Sequence, residues 1–227
     1  MIVSINQPAY LPWLGYFDRI RLSELHVVLD HVQFEKNSFV NRNRIRTAQG
    51  STWLTVPVRT GGRFGSLAID SLEIANDNWR RKHWAGICQA YAKAPFFDQH
   101  AAWLEPIYQH PWERLAPMMD AINTKLMQVL GITTPLRYSS QMKPNATKSE
   151  LVLELCQSVG ATVYLSGPLG RDYLDQNAFQ AAGIKVQFHD YTHPVYGQIY
   201  PGFEPYMSII DLLFMQGPDS LGLLSST

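Results

Sequence analysis

The chain has 227 residues, 46% of them hydrophobic and 17% charged, and its nineteen basic side chains balance nineteen acidic ones to a formal charge of zero. That balance fits one packed domain over residues 1–227, and it lacks the long-range basic field that a nucleic-acid partner would select, so none is expected. No apolar run is long enough to span a bilayer and no basic-then-apolar leader opens the chain, so the expectation is a cytoplasmic protein without a membrane span.

Residues 2–5 read as a buried strand. The following Asn6-Gln7-Pro8-Ala9-Tyr10-Leu11-Pro12-Trp13 carries two prolines, which forbid both a continuing central strand and a helix interior. The chain must bend there and present Gln7, Tyr10 and Trp13. A helix over 14–22 follows, then a second strand at 27–29. After it comes a polar loop with Asp30, Gln33, Lys36, Asn41, Arg42 and Asn43. Residues 53–58 read as a strand, and 67–69 and 72–74 as short strand pieces of a small antiparallel insertion. The glycine-rich turn at 61–65 is a surface loop or a phosphate cradle.

Helical patterns then cover 76–92, 96–108 and 112–130, a mainly helical insertion at about 76–130. Residues 133–138 return to an extended form. Thr147 and Glu150 have capping-box spacing before a helix that runs to Gly160. A strand at 162–165, a small-residue turn from Ser166 to Tyr173, a helix at 173–182 and a strand at 184–188 restore the αβ rhythm. A last short helix covers 205–214. Cys88 and Cys156 stand far apart among apolar neighbours and read as reduced, buried thiols. The fold class is α/β: a mostly parallel open sheet with flanking helices and a helical insertion.

No nucleophile elbow, Walker loop, G-x-G-x-x-G fingerprint or C-x-x-C pair is present, and no metal site is expected. Three polar clusters remain. In the first, Gln7, Tyr10, Asp30, Gln33, Lys36, Asn41, Arg42 and Asn43 follow two strands. Open parallel sheets bind ligands past the carboxyl ends of their strands, so Gln7, Tyr10, Asp30, Gln33, Lys36, Asn41 and Arg42 are expected to converge on one pocket. Arg42 would grip an anion, Lys36 would act as acid or base and Asp30 would orient them. The alternative is a solvated loop. In the second cluster Ser166, Gly167, Gly170 and Tyr173 form a turn whose N–H groups suit an anion or oxyanion, or else a tight crossover. The third holds His189, Asp190, Tyr191, His193, Tyr196 and Gln198, with His193 as a candidate base or as part of a packed aromatic loop.

The residues that carry a resemblance are Gln7-Pro8-x-Tyr10-x-Pro12-Trp13-x-Gly15, Asp30-x-Val32-Gln33-Phe34-x-Lys36, Asn41-Arg42-Asn43-x-Ile45, Trp53-Leu54-x-Val56-Pro57, Tyr164-x-Ser166-Gly167-x-x-Gly170-x-x-Tyr173 and Ser208-x-x-Asp211-Leu212-Leu213-Phe214. Together they resemble the WbqC-like protein family over almost the whole chain. The resemblance implies an enzyme of bacterial surface-polysaccharide (O-antigen type) biosynthesis that transfers an acyl or aminoacyl group to an amino-sugar nucleotide. A small-molecule substrate, a sugar nucleotide, is implied with it. A non-catalytic sugar-nucleotide-binding or scaffold protein of the same pathway is the alternative, as is a hydrolase that pairs Ser166 with His193. The resemblance carries over no catalytic residues, and cofactor and oligomeric state stay open. The strand, bend and helix at the start are also similar to nucleotidyltransferases with an H-x-G-H signature. The matching Tyr10-Leu11-Pro12-Trp13 has neither histidine, so nucleotidyl transfer is not expected.

Overall fold

The structure, a computed structural model, describes residues 1–62 and 66–225. Five parallel strands form its sheet in the order β5 (Leu136–Tyr138), β2 (Leu25–Val28), β1 (Ile2–Asn6), β6 (Val163–Ser166) and β7 (Lys185–Phe188). The order reverses at β1, between β1 and β6, which is where open sheets place their ligand crevice. The β1 register aligns Ser4 with His26 of β2 and Val3 with Tyr164 of β6. Successive side chains point to opposite faces. Val3, Ile5, Leu25 and Val27 therefore share one face, where they pack with Leu151, Leu155, Cys156 and Phe179. These last residues come from α6 (Lys148–Ser158) and α7 (Gln176–Ala181). Ser4 and His26 are left on the opposite face, fully buried and bonded to each other at 2.8 Å.

That opposite face is covered by α1 (Leu14–Arg21) and α4 (Leu115–Val129), which share a larger core with α2 (Asn78–Tyr91), α3 (Phe97–Gln109), α8 (Ile209–Gln216) and α9 (Ser220–Leu224). A four-residue helix, α5 (Ser139–Met142), caps β5. Each fully buried Leu, Ile or Phe of this core contributes about 1.5–3 kcal/mol. Three helices lie between the hairpin and β5 in sequence, as the apolar periodicity of 76–130 implies.

The loop expected at Asn41–Arg44 is instead largely strand. β3 (Arg42–Thr47) pairs antiparallel with β4 (Gly50–Thr55) as a separate two-stranded sheet. Its alternation is polar on both sides, which hides it from hydropathy: Asn43 and Ile45 are buried while Arg42 and Arg44 are half exposed. The short strand pieces at 67–74 reduce to isolated bridges, Gln33 to Ala68 and Val58 to Ile74, around a 3-10 turn at Ile69–Ser71. Arg63, Phe64 and Gly65 of the glycine-rich turn lie outside the described residues. Thr147 caps α6 by position only, and the side-chain bond of a capping box does not form.

The Pro8–Pro12 bend is a hub to which three elements bind. Asn123 of α4 donates from Nδ2 to the carbonyl of Ala9 (3.1 Å), Asn43 of β3 to that of Leu11 (2.6 Å), and the Ile209 amide to that of Pro12 (2.8 Å). Leu11 sits at φ 45°, a conformation that costs an ordinary residue about 1 kcal/mol or more and that these bonds hold in place.

Candidate functional site

The carboxyl ends of β2 and β5, α1 and one side of α4 line a cavity of about 360 Å³. Its apolar wall comes from Pro8, Ile20, Val28, Met127 and Leu136. Its polar lining consists of Tyr16, His26, Asp30, Asp70, Arg114, Asp120, Asn123, Tyr138, Ser140 and Gln141. The volume is in the range of small-molecule sites, and an apolar wall with a few convergent polar groups is their usual composition. Three carboxylates face one guanidinium.

Each polar group is held by a neighbouring element. Asp30 ends β2, and its carboxylate accepts from Ser139 Oγ (2.9 Å), Ser140 N (2.8 Å) and Ser140 Oγ (2.7 Å) at the start of α5. It thereby fixes the lip of the cavity on β5. His31 Nδ1 reaches the same Ser139 hydroxyl at 2.6 Å. Tyr138 donates to Asp120, and burial together with that carboxylate pushes its phenol well above the usual range. His26 uses Nδ1 for Ser4, and burial, reinforced by the Arg19 charge, lowers its pKa to about 3, so the ring is neutral. Its Nε2 has no partner among the described residues, and neither has Oδ1 of Asn123.

The structure disperses the first sequence-predicted cluster. Of its members only Asp30 lines the cavity. Tyr10 is fully buried in the helical core, where its hydroxyl meets His83 Nδ1 (2.9 Å) and Tyr108 OH (2.5 Å). Gln7 is half buried on the bend. Gln33 and Lys36 are exposed on the loop after β2. Asn41 donates to the carbonyl of Val56 (2.8 Å) and Asn43 to that of Leu11, so both amides serve the backbone. Arg42 bonds Asn37 and lies over the Trp53 ring at 4.3 Å. Convergence fails because the chain leaves β2 towards the hairpin, whereas β1 leads into the core-facing bend.

The second cluster does stand at the β1/β6 switch point, but it is closely packed. Ser166 is buried and donates to the carbonyl of Gly167 (3.1 Å). A Cβ at Gly167 would fall on the Arg19 guanidinium, and one at Gly170 on the Ser166 hydroxyl. Tyr173 is half exposed beside them. In the third cluster, His193 Nδ1 bonds the carbonyl of Pro194 (2.8 Å), and its ring packs against Phe203 and Tyr206. Burial lowers its pKa. Ser166 Oγ and His193 Nδ1 are thus engaged with backbone carbonyls, His193 Nε2 has no partner among the described residues, and no hydrogen bond joins the pair a hydrolase would need. His189 stands four residues before His193 but bonds Asp18 (2.8 Å). Burial works to raise that carboxyl, yet the bonds from His189 and Arg21 outweigh it and hold it low. Among the described residues no group of three or more His, Cys, Asp or Glu side chains is arranged to hold a metal ion.

Sequence reading passed over Asp70, Arg114, Asp120, Asn123, Tyr138 and Ser140. One signal was present. Asn123 interrupts the apolar face of α4 formed by Met119, Ile122, Leu126 and Met127, and an amide on a core-facing stripe needs a partner or a ligand.

The family model of the WbqC-like protein family matches residues 7–222. A protein of Mycobacterium tuberculosis (strain ATCC 25618 / H37Rv), named Uncharacterized protein Rv1507c, is 38% identical over 223 residues, 96% of this chain and 95% of the relative. No solved structure matches the chain.

Proposed function

The chain belongs to the WbqC-like protein family, and on that premise we propose that it is a cytoplasmic enzyme of bacterial surface-polysaccharide (O-antigen type) biosynthesis. It transfers an acyl or aminoacyl group to the amine of an amino-sugar nucleotide, and the cavity at β2 and β5 is its substrate site. The observation that carries this reading is the cavity's lining. Carboxylate, amide and hydroxyl groups converge there on a space of sugar size past the carboxyl ends of parallel strands.

Amide formation makes a C–N bond as the bond from the acyl carbon to its leaving group breaks; an amine bound as ammonium first releases one proton to solvent, and the neutral amine that then attacks gives up a second. Asp120 at the solvent side is placed to take that proton, with the Tyr138 hydroxyl orienting its carboxylate. Arg114 supplies the positive charge that favours a developing oxyanion or a departing anionic group. Asp30 holds the β5 lip. No described helix is long and apolar enough to cross a membrane.

The test is to incubate the purified protein with candidate amino-sugar nucleotides and activated acyl or aminoacyl donors, and to look for the amide product by mass spectrometry. Product formation that Asp120→Asn reduces supports the reading. Absence of product with every combination, together with no binding of any sugar nucleotide, overturns it. Binding without turnover leaves the non-catalytic role.

A further inference from the structure

We propose that the cavity recognises a protonated primary amine on a hydroxyl-bearing ligand, with Asn123 Oδ1 and His26 Nε2 as its buried contacts and Asp70 and Asp120 as its counter-charges. The assignment rests on the reading of the cavity as the substrate site and names the group it selects.

Two unpartnered atoms make the argument. His26 is fully buried and Asn123 is 8% exposed, yet both line the cavity. Of the twelve such atoms among the described residues, these are the two whose side chains line the cavity, and a buried polar atom is unfavourable unless a ligand or water meets it. The orientation of Asn123 is fixed by chemistry. Its neighbour at 3.1 Å is the carbonyl of Ala9, which only accepts, so the NH₂ must face it. The atom left over is the amide oxygen, which only accepts and therefore calls for a donor. His26 Nδ1 is engaged with Ser4, so its one remaining polar atom is Nε2. When Nδ1–H donates to Ser4, Nε2 is likewise an acceptor.

Charge selects among donors. Asp30, Asp70 and Asp120 face Arg114 alone, and His26 stays neutral because burial and Arg19 oppose its protonation. An ammonium meets two acceptor atoms and a lining in which three carboxylates outnumber one guanidinium, whereas a phosphate would meet that same excess of negative charge. The hydroxyls of Ser140 and Tyr138 donate to Asp30 and Asp120, so their oxygens can still accept from hydroxyl groups of the same ligand, beside the amide of Gln141.

Titration calorimetry at neutral pH decides this with four probes: methyl glucosaminide, its N-acetyl counterpart, methyl glucoside and inorganic phosphate. The amine should bind at least roughly tenfold more tightly than the N-acetyl and plain sugars, the scale of one charge-assisted contact. Asn123→Leu should abolish that preference. Because Asn123 also holds Ala9, Asp70→Asn serves as a second variant, at a carboxylate with no hydrogen bond or ion pair among the described residues, and it should weaken the amine alone. Equal affinity for amine and N-acetyl sugar, competition by phosphate, or no binding of any sugar by the folded protein overturns the proposal. Amide product formed without amine preference would overturn it while the transfer reading stood. Amine binding in a protein that forms no product with any donor would uphold it and overturn that reading.

Discussion

Asp30 and Ser140 are joined twice, through the Ser140 amide to Oδ1 at 2.8 Å and through its hydroxyl to Oδ2 at 2.7 Å. The carboxylate that ends β2 is thus the clasp for the segment that ends β5. Asp30→Ala should cost roughly 2–4 kcal/mol in urea unfolding, since hydrogen bonds to a charged acceptor are lost and buried donors are stranded. Asp30→Asn, which keeps one acceptor oxygen, should lose about half as much. A variant of wild-type stability that merely loses activity would restore Asp30 to a purely chemical role.

Lys36 lies exposed on the loop after β2 and does not line the cavity. Lys36→Met should therefore cost no more than about 1 kcal/mol of unfolding free energy, the usual ceiling for the pairing of an exposed charged side chain. It should also leave amine binding in the calorimeter unchanged. A loss of binding with an unchanged melting curve would return the 31–42 loop to the site.

Gly170 is constrained by packing. An added methyl would land on the Ser166 hydroxyl and close to Leu174. Gly170→Ala should destabilise the protein by roughly 1–3 kcal/mol, the usual cost of overpacking. Gly197→Ala, where nothing lies within 4 Å of the new atom, is the matched control and should stay near wild type in the same thermal melt.

Two histidines set an acid limit. Burial lowers the pKa of His26 to about 3 and of His83 to about 4, both below the unfolded value of 6.5. Between those values the unfolded chain binds more protons than the folded one, so stability is full above about pH 6.5 and falls as the pH drops towards 4. The His83 share is roughly 3 kcal/mol by linkage. His83→Phe should flatten the plot of urea unfolding free energy against pH between 4 and 6. An unchanged slope would mean that His83 does not titrate in this range.

Much of the fold was readable because it rests on local pattern. The apolar run at 2–5, the prolines at 8 and 12, the 3.6-residue stripes from 76 to 130 and the αβ rhythm after 147 all act through nearest neighbours and burial. β3 escaped because its inward positions are Asn43 and Ile45, and an asparagine facing inward reads as loop until its partner, the carbonyl of Leu11, is seen.

The site was less legible for a physical reason. Sequence by itself determined that polar residues follow β1, β2 and β6, since strand ends and turn chemistry are local. It could not determine which of them share a space. Gln7, Tyr10, Lys36 and Arg42 are near in sequence but diverge, because the bend turns Tyr10 into a buried bond with His83 while the chain after β2 runs out to the hairpin. Asp30, Asp70, the α4 pair Asp120 and Asn123, and Tyr138 come from four separate stretches of the chain and meet only in the folded cavity. That meeting depends on long-range packing, and so does the neutral state of His26, which only the finished fold removes from water.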